Sequence, residues 1–337
     1  MRENKVVYGL IGYGGMGRWH TEILSNVPEA VIGGIYDIKE EKREEAKEKG
    51  FSVYETEEAM LADPDIDVVL IATPNDCHKP IAIRAMHAGK NVISEKPVTL
   101  SSTDLLEMEN AAKETGKLLT VHQNRRWDDD FLIIKKLVEE QKLGHVFRIE
   151  SRVHGSRGIP GDWRKEKVHG GGMVLDWGVH LLDQILYMYG DRKIETVYAS
   201  LTNVTNQEVD DGFTAILTFE GGTEVLVEVG TNNYISLPRW YVLGEDGTAV
   251  IRDWQLNGEI IRKTGKTEET VVPVKTAAGL TKTMAPRREE TIVKEELPHV
   301  SGDIADFHRN VAAVIRDGAE PEIKLFQVMR VMKLMEA

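Results

Sequence analysis

A single cysteine, Cys77, stands in 337 residues, so no disulfide can close within the chain, and a reducing compartment fits. Nothing near Cys77 supplies the partnered base that a catalytic thiol needs. No apolar run approaches the ~18 residues that a membrane helix requires. The charged start, MRENK, runs straight into a strand-like segment, which is not the pattern of a signal peptide. A cytoplasmic protein that touches no membrane is therefore expected. Basic charge is also scarce: 42 Lys and Arg stand against 55 Asp and Glu, for a formal net charge of −13. No long basic patch offsets that balance, which argues against a nucleic-acid partner. The mixed-sign run KEEKREEAKEKG reads as a solvated helix face. Internal repeats and low-complexity tracts are missing too, which removes solenoid and linker architectures.

What is present has an ordinary globular balance, 41 % hydrophobic and 29 % charged, in a chain too long for one small core. The first part alternates strands and helices. KVVYGLIG, AVIGGIYD, FSVYE, DVVLIATP, NVISEKP and KLLTVHQN read as six strands. Helices fall between them, at GMGRWHTEILSNV, 39–49, 78–88 and SSTDLLEMENAAKETG, with Gly89 and Gly116 as C-terminal caps and Ser101 or Ser102 as an N-cap. This predicts a doubly wound parallel sheet over residues 1–124.

The character then changes. A helix over 128–142 and the strand HVFRIESRVHG precede a glycine-rich loop and a helix over 173–189. Residues 194–275 are mostly strand, with hairpins at Gly221-Gly222 and Asp246-Gly247. Such strands predict a second sheet with one face exposed or used in oligomerisation. Helices at 302–316 and 324–336 close the chain, the last ending at KLMEA without a cap, as if a little more chain followed. The expected division is residues 1–124 and residues 125–337, the closing helices packing between them.

Gly12, Gly14 and Gly17 have G-x-G-x-x-G spacing. Alone this is weak, but it follows a strand and opens a helix. Gly12 permits the turn, Gly14 lets backbone approach a pyrophosphate, and Gly17 lets helix and strand pack closely. Gly15 and Met16 belong to the same phosphate-facing turn, where helix amides favour negative charge. Asp37 ends the second strand, where a carboxylate accepts the ribose hydroxyls and repels a 2′-phosphate. That favours NAD over NADP, although Lys39, Lys42 and Arg43 lie close by. As a plain helix N-cap, Asp37 could still bind ribose.

In GGGMVLDWGVHLLDQIL, helical spacing puts Asp176, His180 and Asp183 on one face, with Val179, Leu182, Ile185 and Leu186 beside them. This is either a site wall or a satisfied structural Asp–His pair. Oxidising a secondary alcohol needs a hydride acceptor, which a cofactor supplies, and an acid/base group near neutrality, which histidine suits. A lysine beside the same oxygen would stabilise alkoxide charge. Lys96, in the EKP of NVISEKP, is by itself as compatible with a surface turn as with a cleft. A metal held by His and Asp finds no further ligand cluster, so no metal is expected.

Taken together, G-x-G-x-x-G at 12–17, TPNDCH at 73–78, EKP at 95–97 and D-x-x-x-H at 176–180 resemble, in this order, the motifs of the Gfo/Idh/MocA oxidoreductase family. That family includes glucose–fructose oxidoreductase and inositol 2-dehydrogenase. The resemblance runs from residue 5 to about 335. It implies a Rossmann domain followed by an α/β domain whose large, open, mostly antiparallel sheet builds a homodimer or homotetramer, with the active cleft between the domains. It implies Lys96 as the catalytic lysine, His180 as the acid/base and Asp176 as the substrate carboxylate. Glu95 and Pro97 would hold Lys96, with a fixed X-Pro peptide for which cis is an option.

Softer matches assign cofactor contacts to Thr73, Pro74, Asn75, His78, Glu95, Arg125, Trp163 and Arg164, and to Lys96 itself. His78 reads equally as a helix-packing residue, Arg125 or Arg126 as a structural ion-pair member, and Trp163 as a cleft-wall aromatic. No role is assigned to Asp128–Asp130. The implied activity is an NAD-dependent dehydrogenase for a secondary alcohol of a cyclic polyol or sugar, using Lys96, Asp176, His180, Asp183 and nearby arginines. QNRRWDDDF and GMVLDWGVHLLDQ look similar to scyllo-inositol dehydrogenase-type members. The alternatives are an NAD-dependent redox-assisted glycosidase and a non-catalytic dinucleotide-binding regulator.

Overall fold

The computed structural model describes residues 4–266 and 271–337. The part of the predicted 194–275 strand region at 267–270 lies outside these residues. Near-continuous apolar runs make the first five strands: β1 (Val6–Ile11), β2 (Ala30–Tyr36), β3 (Val68–Ile71), β4 (Asn91–Ser94) and β5 (Leu119–Val121). They form a wholly parallel sheet in the order β2-β1-β3-β4-β5. The helices between them, α1 (Gly15–Leu24), α2 (Glu40–Glu48), α3 (Glu57–Ala62), α4 (His78–His87) and α5 (Ser102–Thr115), provide the crossovers and cover the sheet. Because β1 pairs with β2 on one side and β3 on the other, the strand order reverses there. The crevice at their carboxyl ends is where such sheets bind ligands.

The expected third strand, FSVYE, is a single bridge from Val53 to Ile35, so the sheet has five strands and not six. Of β2, Ile35 alone exchanges main-chain bonds with the segment, donating to Ser52 and accepting from Tyr54, each at 2.9 Å. The helix α3 that follows was not foreseen; its first turn is capped by Thr56, whose hydroxyl accepts from the Ala59 amide at 3.1 Å.

The second half begins with α6 (Asp129–Glu139) and β6 (Val146–His154) and continues with α7 (Val179–Tyr189), β7 (Ile194–Thr202), β8 (Gly212–Phe219), β9 (Glu224–Gly230), β10 (Trp240–Gly244), β11 (Gly247–Ile251) and β12 (Gly258–Lys263). A small hairpin of β13 (Val274–Thr276) and β14 (Gly279–Thr281) precedes β15 (Ile292–Glu295). Eight of these strands form one sheet, in the order β15-β12-β11-β10-β6-β9-β8-β7. All its pairs are antiparallel except β6–β9. The expected hairpins are β8–β9, turning on Gly221 and Gly222 with positive φ, and β10–β11. Alternating burial along β8 and β9 puts one face on a core shared with α6 and α7. Edge strand β7 is open along most of its length.

The closing helices are α8 (Ala305–Asp317) and α9 (Leu325–Glu336). Phe307, Val311 and Ala312 of α8 and Val328 and Met332 of α9 join the core of the parallel sheet, whereas Val331 of α9 joins the second core. Among the described residues, no helix is long and apolar enough to cross a membrane.

Candidate active site

The glycine-rich turn is built as its spacing predicts. Gly12 has φ +97°, and a Cβ there would lie 2.5 Å from the Ala72 carbonyl oxygen. A Cβ on Gly17 would lie 2.1 Å from Gly12 O, so only glycine lets α1 pack this close to β1. At Gly14 and Gly15 the situation reverses: an added Cβ meets nothing within 4 Å. Gly14 is the N-cap of α1 and no side chain caps the helix, so the turn at Gly15 and Met16 faces open space with a positive helix end. This arrangement fits a pyrophosphate. Asp37, just past β2, is held over the turn: its carboxylate accepts from the Tyr13 amide at 2.7 Å and the Lys39 amide at 2.9 Å.

Lys96 follows β4 and precedes a cis Lys96–Pro97 peptide. Its Nζ donates to the main-chain oxygen of Asp176 at 3.0 Å and lies 3.4 Å from Asp176 Oδ1. Asp176 Oδ2 is 3.3 Å from Arg164 Nε, and the Arg164 guanidinium lies over the Trp163 ring at 4.6 Å. Thus Lys96, from the first half of the chain, converges with Trp163, Arg164 and Asp176 from the second.

The stretch 173–189 is not one regular helix. Val174–Gly178 is a π-turn that leads into α7, and Asp176 sits within it. The wider turn takes Asp176 off the i, i+4 line drawn for an α-helix. His180, on the first turn of α7, is buried, and its Nδ1 has no partner in the chain. Its ring packs edge-on against Trp177, with centres 5.7 Å apart. Burial first, then the charges of Lys96 and Arg125, hold the His180 imidazole well below its ordinary pKa. The neutral ring is the form that can accept a proton.

Asp183 does not join the cleft. Its two carboxylate oxygens accept from Arg126 Nε and Nη2, each at 2.7 Å, in a buried bidentate pair. Arg126 and Asp183 therefore tie the start of the second half to α7. Arg125 takes the other course. Its guanidinium lies over Trp177 at 4.2 Å and donates to Asp128 at 2.8 Å, which places it beside His180.

Three expected cofactor contacts are occupied by the fold itself. His78 is fully buried, its Nδ1 3.0 Å from Pro97 O and its Nε2 3.0 Å from Thr73 O. Both neighbours are acceptors and the neutral ring has one N–H, so it donates to one carbonyl and abuts the other, bracing the ends of β3 and the EKP turn. Glu95 is buried between His20 and His122, and its Oε2 accepts from the Lys96 amide at 3.1 Å. Burial alone would raise its pKa, but His122 and His20 hold it well below the ordinary carboxylate value. Its part is to fix the backbone of Lys96. The buried Asn75 spends its Nδ2 on Gly170 O at 3.0 Å, pinning the 163–172 loop. Thr73 and Pro74 remain at the carboxyl end of β3, in the crevice beside Gly12.

Gln123 and Asn124 were not singled out from sequence. They follow β5 at the same end of the sheet as Lys96, and Gln123 Nε2 and Oε1 and Asn124 Oδ1 are buried without partners. Orphaned polar atoms at a ligand crevice mark candidate contacts. The only sequence signal was their place at the start of QNRRWDDDF.

The chain matches two family models: an oxidoreductase family with an NAD-binding Rossmann fold (GFO_IDH_MocA) over residues 6–123, and a GFO/IDH/MocA C-terminal domain over 131–250. It is 28 % identical to the scyllo-inositol 2-dehydrogenase (NADP(+)) IolW of Bacillus subtilis, across 98 % of this chain and 91 % of that protein. It is 31 % identical to the myo-inositol 2-dehydrogenase of Thermotoga maritima, across 64 % of this chain and 65 % of that one. A crystal structure of an NAD-binding protein from Listeria innocua superposes with a TM-score of 0.95, at 49 % identity, covering 99 % of this chain and 96 % of the other.

Proposed function

The chain belongs to the Gfo/Idh/MocA oxidoreductase family, and on that premise we propose that it transfers hydride between a nicotinamide cofactor and a secondary alcohol of a cyclic polyol or sugar. The observation that carries this is the meeting of Lys96 and Asp176 at 3.0–3.4 Å beside the buried, unpartnered Nδ1 of His180. Oxidation of R₂CHOH gives R₂C=O, a hydride and a proton. A nicotinamide held in this crevice would supply the hydride acceptor. His180 takes the hydroxyl proton, and its neutral imidazole suits that task. The Lys96 ammonium lies against the same oxygen and stabilises its developing charge. Asp176 orients Lys96, balances its charge together with that of Arg164, and accepts from a neighbouring substrate hydroxyl.

The inositol dehydrogenases among the relatives support a polyol substrate. Gly14, Gly15 and Met16 would hold the pyrophosphate, and Thr73 and Pro74 the crevice wall. Asp37 over the phosphate turn supports NAD, even though one relative is named for NADP(+). Exposed Val197, Tyr198 and Leu201 on β7 support assembly into a homo-oligomer through the second sheet. The single cysteine supports a cytoplasmic setting.

The test is a spectrophotometric screen of inositols, aldoses and sugar acids with NAD and NADP side by side, on the parent chain and on Lys96→Ala. Substrate-dependent NAD(P)H formation that disappears in the variant is the expected result. Undiminished turnover in the variant rejects the mechanism, and sugar release at constant total NADH favours a redox-assisted glycosidase.

A further inference from the structure

Behind Lys96 lie three buried histidines. His20 is on α1, His122 follows β5, and His308 is on α8; each is 0 % exposed. One ring nitrogen of each lies within 4.8 Å of one from each of the others, the one such grouping among the described residues. Ring centres are 4.5 Å apart for His20 and His122, 5.5 Å for His20 and His308, and 5.9 Å for His122 and His308.

Glu95 sets two of the tautomers. A carboxylate only accepts, so His20 Nε2–H and His122 Nδ1–H both donate to Glu95 Oε1, at 2.7 and 2.9 Å. The opposite nitrogens, His20 Nδ1 and His122 Nε2, then carry lone pairs, and neither has a partner. His308 Nε2 has none either, while His308 Nδ1 lies 3.3 Å from Tyr8 Oη. Three buried, unsatisfied nitrogens in one cluster are costly to leave so. A carboxylate behind an imidazole is also how metal-ligating histidines are held in place.

We propose that His20, His122 and His308 form a structural site for a divalent transition metal, zinc first among them, with Glu95 as its outer-shell carboxylate. Imidazole ligands select zinc, copper, nickel or cobalt over magnesium and calcium. Glu95 supplies compensating negative charge. Because the ligands come from three distant parts of the chain, the site exists only once α8 has docked on the parallel sheet. A bound ion would therefore add to folding stability. This inference does not depend on the proposed redox activity.

The test uses the full chain, unfolded with chelator and refolded with or without Zn²⁺ or Co²⁺. The expected result is about one zinc per chain by elemental analysis, a Tm several degrees higher than that of the metal-free form, and visible cobalt bands. His308→Phe, which keeps a ring among the aromatics, and His20→Gln are each expected to fold and to lose both the ion and the Tm shift. Refolded parent protein that takes up no zinc and shows no zinc-dependent Tm change overturns the site. Stoichiometric zinc retained by the folded variants also overturns it, because the ion then sits elsewhere. Should both variants fail to fold, anomalous diffraction at the zinc edge from parent crystals decides: a peak among the three rings supports the site, and its absence rejects it.

Discussion

Lys96 Nζ donates to the main-chain oxygen of Asp176 at 3.0 Å and lies 3.4 Å from its Oδ1, so the lysine is held from the far side of the cleft by both backbone and side chain. Removing the lysine leaves Asp176 with Arg164 as a partner at 3.3 Å, so the fold should survive. Lys96→Ala is expected to lower kcat by about 10²–10⁴-fold, with Tm nearly unchanged. Stopped-flow absorbance of NAD(P)H and a thermal melt check the two halves separately, and a large loss of Tm would make the lysine structural.

On the proposed mechanism, His180 sets the pH dependence. Its pKa in the free protein is depressed by burial and then by Lys96 and Arg125, so the ring stays neutral as pH falls through the ordinary histidine range. For alcohol oxidation, kcat/KM should hold level through about pH 6.5 and decline only below it. His180→Asn should remove that acid limb and cost about 10²–10⁴-fold. An acid limb centred above the ordinary histidine pKa would contradict His180 as the base.

The phosphate turn separates folding from binding. A Cβ at Gly14 meets nothing, whereas one at Gly12 lies 2.5 Å from Ala72 O at a φ of +97°. Gly14→Val is expected to leave Tm within a few degrees and to weaken dinucleotide binding at least about tenfold, read by fluorescence titration. Gly12→Ala should destabilise the protein itself by about 1–3 kcal/mol. Unchanged affinity in Gly14→Val would place the pyrophosphate elsewhere.

Cofactor choice should move with Asp37. Replacing it by Ser removes the charge that would oppose a 2′-phosphate, with Lys39 and Arg43 close at hand. The ratio of kcat/KM for NADP to that for NAD is expected to rise by about tenfold or more. A parent protein that already prefers NADP would reverse this reading.

The Arg126–Asp183 pair is buried and bidentate, so breaking one side costs far more than removing both. Arg126→Met alone should lose about 3–5 kcal/mol in urea unfolding, and Arg126→Met with Asp183→Leu much less. The folded double variant should keep the parent KM for the polyol. A selective rise in KM would return Asp183 to the cleft.

Much of the site was legible because its parts obey short-range rules. G-x-G-x-x-G is a statement about turn φ and close packing, and Asp37 follows from the length of one strand–helix–strand unit. Asp183 was misassigned because spacing tells which helix face a residue shares, not what faces it. Only the fold brings Arg126 there. The π-turn at 174–178 has no signature in hydrophobic period, so Asp176 was drawn on the wrong helical line. His78 and Glu95 read as cleft residues because motif proximity cannot separate a group that touches a ligand from one that braces the residue that does. The histidine cluster was invisible for the plainest reason: its members share no local segment, and His308 reaches the others only through the docking of α8.

That docking also sets an order of events in synthesis. The core of the parallel sheet includes Phe307, Val311, Ala312, Val328 and Met332, so a nascent chain whose parallel strands have all emerged still presents an unclosed apolar surface. The whole second sheet must be made before that surface is sealed. The dinucleotide-binding half, although first off the ribosome, is thus among the last parts to be finished, and its exposed interval is when a chaperone would find it.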